Sequence, residues 1–263
     1  MPGSATIHTV QRMKQDGRKI VAITAYDYSM ALWIDQAGVD IVLVGDSLGS
    51  TMLGYESTIP VEMSDMIRAV QSVRRAIKGA LLIADMPFGS YGADVWESVQ
   101  NAAALMKSGA DGVKIEGAAC IPAIQAMVDI GIPVMGHLGF TPQSVHRLGG
   151  HKVQGRGEDG QRLLESARTL QDAGCFSIVL ELVPSQIANE ASKALAIPTI
   201  GIGAGPGCDG QIQVVHDIVG LTPAKYKHAR RFVELGEALK SAVREYAEAA
   251  REGSFPSKDE SFE

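Results

Sequence analysis

Five short apolar runs in this 263-residue chain each end in a carboxylate: VAITAYD at Asp27, VDIVLVGD at Asp46, ALLIAD at Asp85, GVKIE at Glu116 and FSIVLE at Glu181. Runs of this length, rich in Val, Ile and Leu, read as strands buried on both faces. An ionised side chain is costly there unless it is paired or metal-bound. In a sheet of parallel strands all the C-terminal ends open on one face, so acids distant in sequence converge on one cleft, where such folds do their chemistry. Any one of these acids can instead cap the following helix or pair with a nearby base. Five such coincidences are a poorer explanation than a shared site.

Asp46, Asp85 and Glu116 come from consecutive strands, and oxygen donors without neighbouring Cys or His suit Mg²⁺ or a similar hard cation. Such an ion, with positions left open, can bind the carboxylate and keto oxygens of a 2-oxo acid, acidify the adjacent C–H and stabilise the enolate. Lys114, two residues before Glu116, points to the same side of its strand; it can neutralise substrate charge or form a structural ion pair with Glu116 or a neighbour. His137, in VMGHLG, can donate to the same substrate or be a satisfied buried histidine. Glu181 is expected across the barrel from this group, in a partly apolar mouth where a carboxylate can act as a general base.

Strand-like and helix-like segments alternate from end to end, the signature of βα units and a parallel sheet. Strands are expected near 19–26, 39–46, 80–85, 112–116, 131–136, 176–182 and 197–202, with a weak eighth near 217–221 (DIVGL). SDMIRAVQSVRRAI carries Ser64 as a candidate N-cap and apolar residues at helical spacing; DVWESVQNAAALMKSG ends at Gly109, a candidate helix stop. AGVDIVLVGD, SGADGVKIEG and AGCFSIVLEL repeat one device, a small residue and Gly leading into a strand. A closed (β/α)8 barrel follows, and the length suits one. No Pro/Gly/Ser-rich linker interrupts 1–263, which reads as a single domain with a C-terminal helix at about 228–251 and a polar tail at 252–263. That helix carries an apolar stripe through Phe232, Leu235, Leu239, Val243 and Tyr246 and is expected to pack on the barrel or on another subunit.

Two glycine-rich places remain. IGIGAGPGCDG (200–210) follows the seventh strand, where many barrels bind phosphate, although glycines also serve any tight turn. The loop LGGHKVQGRGEDG (148–160) carries Lys152 and Arg156 and reads as a lid, an anion contact or a plain surface loop.

A net charge of −6 argues against nucleic acid as partner. No apolar stretch approaches the roughly 20 residues that span a bilayer, and the N-terminal stretch lacks the apolar core of a signal peptide, so a soluble, cytoplasmic protein without membrane contact is expected. Cys120, Cys175 and Cys208 are odd in number and lack metal-type spacing; they read as buried small hydrophobes in a reducing compartment.

The stretches ITAYDYSMA, LVGDSLG, VEMSDM, ADMPFGSY, VKIEG, GHLGFTPQSVHRLGGHKVQGR, LELVP, IPTIGIGAGPGCDGQ and VVHDIVGL, in that order over nearly the whole chain, resemble the ketopantoate hydroxymethyltransferase family of pantothenate biosynthesis. The resemblance implies a TIM barrel of the phosphoenolpyruvate/2-oxo-acid-binding type that transfers a hydroxymethyl group from 5,10-methylenetetrahydrofolate to 3-methyl-2-oxobutanoate, giving 2-dehydropantoate. It implies one Mg²⁺ per subunit on Asp46 and Asp85, with Glu116 completing the site directly or through water. Asp46, Ser47, Asp85, Lys114 and His137 would hold the 2-oxo acid, and Glu181 would remove its C3 proton. Large rings of subunits, commonly homodecamers, are also implied. Lyases and mutases of the phosphoenolpyruvate mutase and isocitrate lyase type share the LVGDS and acidic-strand pattern, but usually carry a catalytic Cys in a KKCGH-like loop; GHLG stands near that place here. An idle binding or assembly protein on the same barrel would be expected to have lost some of the costly acids.

Overall fold

The computed structural model describes residues 4–262. Eight parallel strands follow one another around a closed barrel: β1 (Ile20–Thr24), β2 (Ile41–Val44), β3 (Leu81–Asp85), β4 (Gly112–Glu116), β5 (Val134–Gly139), β6 (Ser177–Glu181), β7 (Thr199–Ile202) and β8 (Gly210–Gln213). β8 closes on β1 with Ile20 opposite Gly210 and Ile23 opposite Gln213. The expected fold is the one observed.

Alternation along the strands divides the buried residues between two layers. Ile20, Ile41, Leu43, Leu81 and Ile83 join Met135, Val179 and Ile212 in one interior cluster. Val42 and Val44 point the other way and are also buried. Val10 and Met13, on one face of the helix Ile7–Gln15, belong to the same interior cluster as the first residues of β1, β2 and β3. That helix seals the end of the barrel where strands begin, leaving the opposite end for chemistry. The repeated helix stop is real: Gly38, Gly109 and Gly174 have φ of +78°, +115° and +97°, left-handed values that end a helix and turn the chain into β2, β4 and β6.

Three local expectations are corrected. The eighth strand is Gly210–Gln213; the stretch near 217–221 thought to hold it begins inside the helix Val215–Ile218. GQIQ has a single β-branched residue, and its pairing with β1 and β7 rather than its propensity makes it a strand. The helix holding Ser64 starts at Met63 with Glu62 as its cap, whose backbone N–H donates to Asp65 Oδ2 at 3.1 Å. β5 starts only at Val134, after Pro133, which has no N–H to offer. It runs three residues beyond its expected end at 136, taking in His137, because it stays paired with β6 as far as Gly139 opposite Glu181.

The chain divides into two compact units, one ending at Val214 and one beginning at Val215. In the second, the long helix spans Leu235–Glu252 rather than starting near 228. The preceding residues are held in irregular backbone: Phe232 N–H donates to Ile218 O, and Arg231 donates to the carbonyls of Thr222, Pro223 and Ala224. Leu239, Val243 and Tyr246 are exposed along this helix. Among the described residues no helix is long and apolar enough to cross a membrane.

Candidate active site

The site follows from register. Asp85 lies opposite Lys114, Glu116 opposite His137, and Gly139 opposite Glu181, so the ends of β3, β4, β5 and β6 present their functional groups side by side. The strand ends approach so closely at β5 that a Cβ on Gly139, at φ +95°, would lie 2.1 Å from the Glu181 carbonyl oxygen. Only glycine fits there.

Lys114 Nζ is 2.6 Å from Asp85 Oδ1 and 3.4 Å from His137 Nδ1. The imidazole lies between two acids, with Nδ1 3.4 Å from Glu116 Oε1 and Nε2 3.3 Å from Glu181 Oε2. Glu181, expected across the barrel from the other acids, is therefore joined to them through His137. Asp85 Oδ2 accepts from the Asp46 N–H at 3.0 Å. Ser47 Oγ shares a hydrogen bond of 2.7 Å with the Tyr26 hydroxyl. Asp46, Asp85, Lys114, Glu116 and His137 are all buried, while Glu181 keeps partial exposure.

The electrostatics are unbalanced. Burial raises the Asp46 carboxyl well above the ordinary range, the charges of Asp85 and Glu116 raise it further, and Lys114 and Gln143 offset this only in part. Burial works against charge on Lys114, but Asp85, Glu116 and Asp46 hold its pKa above the ordinary lysine value. For His137, burial and Lys114 favour the neutral ring, yet hydrogen bonds to Glu116 and Glu181 win and bring it to about 9. That balance favours the protonated ring, set between the Glu116 and Glu181 carboxylates. Four carboxyl groups thus crowd one lysine and one histidine, a surplus of acids that a bound cation would offset.

Among the described residues no three His, Cys, Asp or Glu side chains are arranged to hold a metal ion by themselves. Glu116 spends Oε2 on the Gln143 N–H at 3.0 Å and Oε1 on His137. Asp85 is engaged as well, Oδ1 by Lys114 and Oδ2 by the Asp46 N–H, but each carboxylate oxygen has a second lone pair. Asp46 and Asp85 set two hard donors on adjacent strands, which fits Mg²⁺, an ion that commonly takes one or two carboxylates and keeps water or substrate oxygens elsewhere.

Asp27 is set apart from this group. Its Oδ1 accepts the Met30 N–H at 2.9 Å and caps the helix Tyr28–Gln36, the ordinary role for such an acid. The glycines of 200–210 serve close packing: a Cβ on Gly205 would meet Ser185 at 2.5 Å and one on Gly207 would meet Asn189 at 2.7 Å. The 148–160 loop is tied to the end of β6 by Gln154 N–H donating to Leu182 O at 2.9 Å. Cys175 and Cys208 are buried and Cys120 is half-buried; burial pushes the Cys175 thiol up to about 12, far from a nucleophile's range.

Two polar residues that sequence reasoning passed over belong to the site. Gln143 Nε2 donates to Asp46 Oδ2 at 2.8 Å and to Met86 O at 2.9 Å, and its Oε1 accepts from the Tyr91 hydroxyl at 2.7 Å. Gln143 lies in the short 3-10 helix Pro142–Ser144 and Tyr91 in a loop, in TPQSV and ADMPFGSY, where no periodicity or charge singles them out.

Fold and site together define a (β/α)8-barrel enzyme with a cluster of ionisable side chains at the C-terminal ends of its strands. Solved structures with this architecture include phosphonopyruvate hydrolase in complex with oxalate and Mg²⁺ (TM-score 0.65, 15% identity, covering 97% of this chain and 93% of that one). A 2,3-dimethylmalate lyase of the phosphoenolpyruvate mutase/isocitrate lyase superfamily is similar at a TM-score of 0.61 and 17% identity, over 97% and 91% of the two chains. Residues 4–258 match the model of the family described as ketopantoate hydroxymethyltransferase, and the chain belongs to that family of transferases. It is 50% identical over 262 residues to the 3-methyl-2-oxobutanoate hydroxymethyltransferase of Thermosipho africanus, covering 98% of each chain. The enzyme of the same name from Moorella thermoacetica is 48% identical over 261 residues, covering 98% of this chain and 97% of its own.

Proposed function

We propose that this enzyme moves a hydroxymethyl group from 5,10-methylenetetrahydrofolate to 3-methyl-2-oxobutanoate, forming 2-dehydropantoate, with Glu181 as the base that takes the C3 proton. The observation that carries the reading is the lateral row Asp85–Lys114–His137–Glu181, which sets a cation beside the acid pair and a second acid one residue further round the barrel. Asp46 and Asp85 would hold Mg²⁺, with Glu116 reaching it through water. When bound, that ion supplies Lewis-acid polarisation of the 2-oxo group. The Lys114 ammonium and the Ser47 hydroxyl would bind the substrate carboxylate and 2-oxo oxygens, and the oriented donors would stabilise charge as it moves from C3 onto the enolate oxygen.

His137 holds Glu181 by a charge-assisted contact and presents its carboxylate to the substrate. Once Glu181 has taken the proton, the C3 carbanion equivalent forms a bond to the one-carbon unit, and the C–N bonds that held this carbon to the folate break with their electron pairs returning to nitrogen. Water supplies the hydroxyl oxygen, so that the oxo acid, methylenetetrahydrofolate and water give 2-dehydropantoate and tetrahydrofolate. Two further assignments come from the family: a homodecamer, for which the exposed stripe on the helix Leu235–Glu252 offers apolar surface, and a cytoplasmic location suited to a biosynthetic enzyme.

The test follows the C3 proton of 3-methyl-2-oxobutanoate by NMR in D₂O, with Mg²⁺, with and without EDTA. Metal-dependent exchange in the wild type and its loss by about a hundredfold or more in Glu181→Gln, with oxo-acid binding kept, is the expected result. Exchange at the normal rate in Glu181→Gln overturns the base assignment.

A further inference from the structure

We propose that Gln143 and Tyr91 are positioning residues that lock Asp46 in one orientation, with Oδ2 held by protein and Oδ1 left for a divalent cation. The inference rests on the assignment of Asp46 as a metal ligand made above.

Two backbone groups fix the polarity of the network without ambiguity. Met86 O can only accept, so the end of the Gln143 amide lying 2.9 Å from it is the NH₂ group. Glu116 N–H can only donate, and it donates to the Tyr91 oxygen at 3.0 Å. The Tyr91 proton is then free to go to Gln143 Oε1, 2.7 Å away. With one amide proton on Met86 O, the other goes to Asp46 Oδ2 at 2.8 Å. A flipped amide would set its oxygen against both the Met86 carbonyl and the Asp46 carboxylate, leaving buried polar groups unsatisfied. All the hydrogen-bonding groups of Gln143 in this chain of contacts are therefore used, and in one sense only.

The first consequence concerns Asp46. Its carboxylate cannot rotate to chelate a cation through both oxygens without breaking the Gln143 contact. The same residue steadies Glu116, since the Gln143 backbone N–H donates to Glu116 Oε2 at 3.0 Å while Tyr91 accepts from the Glu116 backbone. Gln143 and Tyr91 thus tie the end of β2 to the end of β4 from the segments that follow β5 and β3. Partners of this kind, bonded to a ligating carboxylate, tune metal affinity through orientation.

The test measures Mn²⁺ affinity by electron paramagnetic resonance on the full chain for wild type, Gln143→Met, Tyr91→Phe, the double variant and Asp46→Asn, with thermal unfolding in parallel. Gln143→Met is expected to weaken Mn²⁺ binding about tenfold to a hundredfold, and Tyr91→Phe about three- to tenfold. Because Tyr91 reaches Asp46 only through Gln143, the double variant should bind Mn²⁺ about as well as Gln143→Met alone. A folded Gln143→Met with wild-type affinity overturns the inference, as do fully additive losses in the double variant. If Gln143→Met does not fold, Tyr91→Phe, which removes one oxygen, decides: unchanged affinity overturns the inference. Unchanged affinity in Asp46→Asn would overturn the ligand assignment and the inference together, whereas a loss there with none at Gln143 overturns the inference only.

Discussion

The barrel has a lysine–aspartate pair near each end, and the two have opposite characters. Towards the sealed end, Lys14 Nζ lies 2.7 Å from Asp209 Oδ2 and also donates to Ser192 O at 2.7 Å. That carboxylate accepts from both the N–H and the hydroxyl of Thr199, at 2.8 and 3.0 Å. One charge meets one charge, and neutral donors satisfy the remainder, which is how a fold uses an ion pair to join a helix to strand ends. At the open end Lys114 and Asp85 are as close, 2.6 Å, but Asp46, Glu116 and Glu181 crowd around them. Balance marks a structural pair, and surplus charge of one sign marks a place that awaits a ligand.

The sharpest break of this contrast is Asp85→Ala. It removes a proposed ligand and strips Lys114 of its nearest partner, so metal affinity is expected to fall a hundredfold or more and turnover with it, about the loss or more that follows from disturbing a ligand's surroundings. Mn²⁺ titration and steady-state kinetics check this. Unchanged affinity would mean that the open-end pair is structural after all.

A second effect is pH-dependent. The folded pKa of His137 is raised to about 9 from an ordinary 6.5, so its charged form stabilises the fold. That contribution is complete below about 6.5 and is lost as pH rises through about 9, an amount on the order of 3 kcal/mol. Melting curves of the metal-free protein should fall across this window, and His137→Gln should flatten the slope. A slope that survives the substitution would place the titrating group elsewhere.

The smallest effect is expected at the sealed end. Lys14→Met leaves Asp209 with its Thr199 contacts and should cost about 1–3 kcal/mol in denaturant unfolding. The kcat of the folded protein should stay within about twofold, since less than about 0.4 kcal/mol would reach the transition state. A large loss of kcat would erase the distinction between the two pairs.

Much of this molecule was legible in its sequence, and the reason is local. Apolar runs of four to six residues, several preceded by a glycine that stops a helix as at Gly38, Gly109 and Gly174, read as buried strands, and their parallel closure puts Asp46, Asp85, Glu116 and Glu181 at one mouth. Lys114 and Glu116 share a face by the period of two in β4, a fact of backbone geometry. Asp27 could not be told from the others because an N-cap and a site acid look alike at the end of an apolar run.

Tertiary structure alone decided the rest. GQIQ became β8 because β1 and β7 offered it partners, and no window of the chain contains that information. His137 joined Glu181 to the other acids because the β5–β6 register sets Gly139 opposite Glu181, which fixes a contact between residues 44 positions apart. Gln143 and Tyr91 are ordinary loop residues in sequence. Their importance arises from burial, which removes water as an alternative partner and leaves each polar atom a single way to be satisfied.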